Sequence, residues 1–440
     1  MKDRYLPGLR EPDNLHKGKK QIKSISRITA PGKAGPLHTI NMRMISHNSV
    51  SRLWIPILAL TVLAGCKNKE KETRNPEVIR TEKPVEKKAR AVWTKDRAHQ
   101  WYEEQPWLVG ANFNPSTSIN QLEMWQEDSF DPETIDRELG WAEAIGMNTM
   151  RVYLHDLLHK QDKEGFYDRV DQYLDIADKH HIRTLFVLFD SCWDPFPETG
   201  KQRDPKPHVH NSGWVQSPGQ KVLQDSTRYS RLERYVKETV GRFKDDKRIL
   251  GWDVWNEPDN MTGPSYEKVE ISNKVDLVLP LLKKVFIWAR EANPSQPLTS
   301  GVWTGDWSVH EEMHPMHILQ LEQSDVISFH NYDHPEDLEK KIKQLQRYGR
   351  PMLCTEYMAR PNGSTFEGFL PIARKYNVGM YNWGLVDGKT QTKYPWDSWT
   401  KTYTSEPKVW FHEVFHTDGK PYKKSETELI SKLTTEANAR

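Results

Sequence analysis

Two short stretches carry carboxylic acids in settings suited to proton transfer: Asp253-Val254-Trp255-Asn256-Glu257-Pro258 and Cys354-Thr355-Glu356-Tyr357. Each follows an apolar run, so each glutamate stands where a strand would end. They are 99 residues apart (356 − 257), a separation that suits three strand-and-helix units. Two glutamates facing one gap are sufficient to cleave a glycosidic bond. One protonates the leaving oxygen, and the other attacks the anomeric carbon or activates water. That chemistry calls for no metal or other cofactor. Taken alone, Asn-Glu-Pro reads equally well as a helix start, with Asn or Glu beside the first turn and Pro ending the strand. The elements around the two acids decide between these readings.

Strand-like apolar runs occur at 108–113, 149–154, 184–190, 249–255, 298–303, 326–332, 352–357 and 378–383. They are continuous rather than alternating, the pattern of parallel strands buried on both faces. Helical periodicity fills the intervals. Asp162 to His180 places Phe166, Val170, Tyr173, Leu174 and Ala177 on one face, and Pro335 to Tyr348 does the same with Leu338, Ile342 and Leu345. Asp131-Pro132 supplies a cap and a first helical residue. Eight such alternations imply an α/β fold closed as a (β/α)8 TIM barrel. An open doubly wound sheet is the competing arrangement, but no Gly-rich phosphate loop follows an early strand. In a barrel the C-terminal strand ends form the active-site mouth, so Glu257 and Glu356 would emerge there from strands four and seven.

In this setting the chain resembles clan A glycoside hydrolases, family 5 above all. Those barrels carry a strand-four Asn-Glu-Pro and a strand-seven glutamate. The ordered matches are Arg151 on strand two, Asn256 and Glu257 on four, His330 and Tyr332 on six, Glu356 on seven and Trp383 on eight. The resemblance implies a retaining enzyme with Glu257 as acid/base and Glu356 as nucleophile. It further implies that Asn256 binds the sugar 2-hydroxyl, that Tyr332 holds Glu356, and that Arg151 keeps Glu356 ionised. His330 would tune a carboxylate or bind a hydroxyl, and Trp383 would lie under the sugar at the cleavage point. Glu257 is expected in a dry aromatic setting near Trp252 and Trp255, which would raise its pKa. Many members have a His at the end of strand three. Here that strand ends Phe189-Asp190-Ser191-Cys192-Trp193, so Asp190 or Trp193 is expected to contact sugar hydroxyls. Trp303, at the end of run five, joins them as a candidate contact. Trp193, Trp214, Trp396 and Trp399, on the long loops after strands three and eight, are expected as subsite walls. His314 with His317 and His208 with His210 have metal-like spacing but lack completing ligands, so no metal site is expected. Cys192 and Cys354 read as small buried hydrophobes.

Composition agrees with a carbohydrate partner. Lys and Arg number 63 against 61 Asp and Glu, a net charge of +2, which gives nothing to attract nucleic acid. The 17 tryptophans supply flat surfaces that suit sugar rings. A glycan-binding barrel without activity would use the same tryptophans, and a metal-dependent hydrolase could use the same fold. The pairing of both glutamates with Asn256 favours hydrolysis without metal. A monomer acting on polysaccharide or oligosaccharide is expected. Xylan, mannan and β-glucan, and end or internal attack, all stay open.

The N-terminal region has a different character. Residues 53–65 form an apolar stretch of 13 residues with Arg43 and Arg52 upstream. That layout is a signal-peptide core rather than a membrane span. Its end, Leu63-Ala64-Gly65-Cys66, resembles the lipobox of bacterial lipoproteins, which implies cleavage before Cys66, lipidation of its thiol and export to a bacterial membrane. Residues 1–41 read as a start-site artefact or disordered leader, with Met42 or Met44 as the start, and 42–66 as the signal peptide. Residues 67–92 read as a tether, since Lys67 to Arg90 has 14 charged residues in 24. The catalytic domain is expected over 93–425 and a C-terminal tail over 426–440.

Overall fold

The computed structural model of the chain describes residues 89–439. The expected leader, the signal peptide with Cys66, and most of the tether lie outside the described residues. Eight parallel strands follow one another in sequence: β1 (Val109–Asn112), β2 (Thr149–Tyr153), β3 (Arg183–Val187), β4 (Ile249–Asp253), β5 (Leu298–Thr299), β6 (Ile327–His330), β7 (Met352–Tyr357) and β8 (Gly379–Trp383). They pair in the order β5-β4-β3-β2-β1-β8-β7-β6. The remaining seam, between β5 and β6, carries a parallel bridge from Val302 to Phe329, with Val302 N–H donating to Ser328 and His330 N–H donating to Val302. The result is a nearly closed (β/α)8 barrel, as the eight apolar runs require.

Local chemistry sets the helix boundaries. Asp131 accepts from the Thr134 amide ahead of the helix Pro132–Ala144, and Asp162 accepts from the Gly165 amide ahead of the helix Lys163–Lys179. Each satisfies a first-turn donor that the helix itself cannot. The second helix buries Phe166, Val170, Tyr173, Leu174 and Ala177, the stripe read from its periodicity. The main core lies between strands and helices. A second cluster of Trp93, Ala98, Tyr102, Leu108, Leu185, Leu250, Val326, Leu353 and Tyr381 joins the helix Lys95–Glu103 to side chains near the strand starts. It plugs the bottom of the barrel, each large buried side chain contributing roughly 1.5–3 kcal/mol.

The ends differ from expectation. Arg90, placed in the tether, pairs with buried Asp325 at 2.6 Å and belongs to the barrel. The stretch read as a tail is largely the helix Lys424–Asn438, which buries Glu426, Thr427, Ile430 and Thr434. Glu426 grips Arg360 through two hydrogen bonds of 2.9 and 2.6 Å. The polar composition of the helix hid a narrow apolar face. Among the described residues, no helix is long and apolar enough to cross a membrane.

Candidate active site

The C-terminal strand ends converge on Arg151, whose guanidinium is fully buried. Nε and Nη2 donate to Asp253 Oδ2 at 3.1 and 2.8 Å, and Nη2 donates to Asn256 Oδ1 at 2.7 Å. Nη1 donates to Asn112 Oδ1 at 2.8 Å and to Glu356 Oε1 at 2.9 Å. One cation thus ties β1, β2, β4 and β7 together and faces two carboxylates, which offsets the cost of burying it.

A register shift aims Glu356. Phe329 on β6 pairs with Cys354 on β7, but the next residue, His330, pairs with Glu356. The extra residue is Thr355, and its carbonyl accepts from Asn112 Nδ2 at 2.8 Å. Such a bulge redirects the side chain that follows it. Glu356 Oε1 also accepts from Tyr153 Oη at 3.1 Å, and Oε2 accepts from Tyr332 Oη at 2.9 Å. Glu257 sits at the opposite edge with φ 41°, a left-handed conformation that costs about 1–3 kcal/mol for a residue with a side chain. Its Oε1 lies 2.8 Å from His330 Nδ1, and its Oε2 accepts from Asn260 Nδ2 at 2.6 Å and from the Cys192 thiol at 3.2 Å. His330 Nδ1 is also 3.6 Å from Glu356 Oε2. Glu257, His330 and Glu356 each present one atom within 4.8 Å of the other two, so carboxyl oxygens of the two acids face each other across a gap no wider than that.

The electrostatics differ across the gap. Burial pushes the Glu257 carboxyl up to about 7, against the pull of its bonds from Asn260 and Cys192. Burial also raises Glu356, and the neighbouring Glu257 adds to the rise, while Arg151 and the Tyr332 hydroxyl oppose it. Burial lowers His330 to about 4, leaving an uncharged ring at neutral pH. Burial thus holds a proton on Glu257 below about pH 7, while Glu356 is the acid that faces the Arg151 cation at 2.9 Å.

The remaining candidates fall around this pair. Asn256 sits beside Glu257, and its Nδ2 donates to Asp190 Oδ1 at 3.0 Å. Asp190 does not offer itself to sugar hydroxyls as expected. Its Oδ1 also accepts from the Cys192 amide at 3.0 Å, and its Oδ2 accepts from Trp214 Nε1 at 2.6 Å. It is 1 % exposed and serves to position Asn256 and Trp214. Trp383 is half-buried, edge-on to Tyr153 at 5.9 Å and Trp214 at 6.0 Å. Trp214 is buried beneath it rather than forming a wall. Trp193 stacks on Trp399 at 5.5 Å, and Trp396, 38 % exposed, stands edge-on to Tyr332 at 5.1 Å. Trp303 Nε1 donates to Asp259 Oδ1 at 2.7 Å, and Asp259 Oδ2 meets His317 at 2.9 Å, which places Trp303 on the Glu257 side.

Trp252 and Trp255 do not surround Glu257. Trp252 stacks on Phe186 and Trp255 packs at a tilt against Phe189 in the strand–helix core; alternation turns Trp252 away from Asp253, and Trp255 lies past the end of the strand. The dryness of Glu257 comes from the mouth itself. Cys192, read as a core hydrophobe, instead touches the acid. Asn112, Tyr153, Asp253 and Asn260 were missed. Asn112 and Tyr153 could have been found as polar residues closing strand runs, Tyr153 sharing a face with Arg151, whereas Cys192 and Asn260 lie in loops whose path no spacing reveals.

A parallel barrel whose mouth holds two facing glutamates, one just past β4 with its pKa raised by burial and one on β7 paired with arginine, defines a glycoside hydrolase. Residues 117–402 match the family described as cellulase (glycosyl hydrolase family 5). That match spans 286 of 440 residues, and the chain belongs to this family. Among solved structures it is similar to the GH5_18 protein from Streptomyces cattleya in complex with GlcNAc, with TM-score 0.52 and 11% identity over 75% of this chain and 80% of that one. It is also similar to GH5_18 from Bifidobacterium longum subsp. longum, with TM-score 0.50 and 15% identity over 75% and 79% of the two chains. At these identities the likeness shows the shared fold. No curated protein sequence matches.

Proposed function

We propose that the protein is a retaining β-glycosidase that cleaves O-glycosidic bonds in polysaccharides or oligosaccharides by double displacement. The observation that carries this reading is the gap of at most 4.8 Å between carboxyl oxygens of Glu257 and Glu356. Retaining pairs stand about 5–5.5 Å apart, and inverting pairs stand about 6.5–9.5 Å apart because a water must fit between the general base and the sugar. In the first step Glu356 forms a bond to the anomeric carbon, the glycosidic C–O bond breaks, and the leaving oxygen takes the Glu257 proton. In the second, the Glu257 carboxylate takes a proton from water, the resulting hydroxide attacks the same carbon, and Glu356 leaves. Asn256, held by Arg151 and Asp190, would bind the 2-hydroxyl, where a contact gains strength as the ring flattens.

The upstream lipobox-like segment supports export with a lipid on Cys66, the barrel working as a monomer off a bacterial membrane. The mechanism is tested by incubating the purified protein with 2-deoxy-2-fluoro-β-glycosyl fluorides of glucose, mannose and xylose, followed by peptide mass spectrometry. One fluorosugar is expected on Glu356. A label on another residue, or hydrolysis that inverts the anomeric centre by NMR, would refute the double displacement.

A further inference from the structure

Behind Trp383 lies a polar pocket that the catalytic steps do not use. Asn114, Asn211, Thr392 and Glu413 line it beside Tyr153 and Trp383, and its free space admits about one water-sized group, the size of a single hydroxyl. Glu413 and Asn211 are fully buried. Glu413 Oε1 accepts from the Thr392 hydroxyl. Glu413 Oε2, both polar atoms of the Asn211 amide, and Asn114 Oδ1 have no hydrogen-bond partner among the described residues. Buried polar groups are nearly always paired, so four orphaned atoms around one pocket point to a polar ligand. The chain also keeps Glu413 in place at a cost. Its φ is 62°, and Arg360, itself gripped by Glu426, binds the carbonyls of Trp410, His412 and Glu413. Burial pushes the Glu413 carboxyl up to about 8. The carboxyl is therefore uncharged at neutral pH and able to donate as well as accept, as an amide does and as a hydroxyl requires.

The position of the pocket says which part of a substrate reaches it. Glu257 protonates the leaving oxygen, so the departing group lies on the Glu257 and Trp303 side. The retained sugar lies over Glu356, and Tyr153 both bonds Glu356 and lines the pocket. Beyond the pocket the loops are laced together. Lys389 N–H donates to Ser116 at 3.0 Å, Asn211 N–H donates to Thr390 at 2.8 Å, and Asn120 Nδ2 donates to Gly213 at 2.8 Å. A Cβ on Gly388 would lie 2.4 Å from the Ser116 carbonyl oxygen, so the loops after β1 and β8 touch backbone to backbone.

We propose, resting on the glycosidase reading above, that Glu413, Asn211 and Asn114 bind a hydroxyl of the retained sugar, and that the laced loops end the cleft there, so that the enzyme cuts at the non-reducing end of its substrate. Borohydride-reduced cellohexaose, mannohexaose and xylohexaose are the probes, with products resolved by chromatography through time. The one that is cut is expected to lose a single short sugar from its unreduced end from the first minutes, and an early spread of internal fragments would overturn the end wall. Asn211→Ala and Glu413→Leu are expected to lower kcat/KM by about tenfold each, the loss of one neutral hydrogen bond. Glu413→Gln, which keeps a donor and an acceptor, should recover most of the Glu413→Leu loss. Rates within twofold of wild type for Asn211→Ala and for whichever Glu413 variants fold would overturn the binding role. Fluorosugar labelling of Glu356 separates the two ideas. Labelled wild type with unaffected variants sinks only the pocket, while absence of any labelling sinks the glycosidase reading beneath it.

Discussion

Replacing Glu257 with Gln tests whether burial, rather than sequence context, sets the proton on the acid. The side chain keeps its shape, and its amide can still accept from Asn260 and meet His330, but it can no longer ionise. In the wild type the carboxyl is raised from the ordinary 4.5 to about 7. A carboxyl raised in the folded state contributes fully below the unfolded value. Stability is then lost between about 4.5 and about 7, where the unfolded chain releases a proton that the folded chain retains, and above that range the loss is constant. At about 1.36 kcal/mol per pH unit, the cost to the wild type above pH 7 is on the order of 3 kcal/mol. Glu257→Gln should match wild-type stability at pH 4 and exceed it by roughly that amount at pH 8, a gain of several degrees in Tm. Urea denaturation across pH 4 to 8 reads the difference directly. A gap that stays flat with pH would refute the assignment of the high pKa to Glu257. Kinetically, the same variant should lose about 10²–10⁴ in kcat on glycosides with poor leaving groups, with the alkaline fall in rate near pH 7 gone.

Two further changes probe the surroundings. Cys192→Ala removes one of the two donors that hold Glu257 Oε2 and draw its pKa down, so the alkaline limb of the kcat/KM profile should move to higher pH. Cys192→Ser should restore it, and a limb that stays put in the alanine variant would show the thiol to be mere filler. For the N-terminal segment, expression of the full chain in a bacterium fed radiolabelled palmitate should label the wild type and leave Cys66→Ser unlabelled; equal labelling of both would remove the lipoprotein proposal.

The barrel was legible because it depends on what a sequence displays directly. Parallel strands buried on both faces must be continuously apolar, and β7 occupies the whole of its expected run, Met352–Tyr357. The helix Lys424–Asn438 was less legible because its buried residues, Glu426, Thr427, Ile430 and Thr434, are mostly polar by type and become core only through partners such as Arg360. The site divides along the same line. Glu257, Glu356, Arg151, His330 and Tyr332 stand at strand ends, where counting strands locates them. The pairing that makes them work depends on a single inserted residue, Thr355, held by Asn112 from β1, two strands away. Strict alternation along β7 would turn Cys354 and Glu356 to the same face, yet Cys354 packs in the strand–helix core while Glu356 faces Arg151. Spacing alone places the nucleophile on a strand, but long-range contacts decide the face it presents. The same holds for Cys192, whose loop is returned to the mouth by Asp190 bonding its amide and Asn256 together. In this barrel the reacting groups can be read from the strands that carry them, whereas their charge states belong to the loops and bulges that hold them.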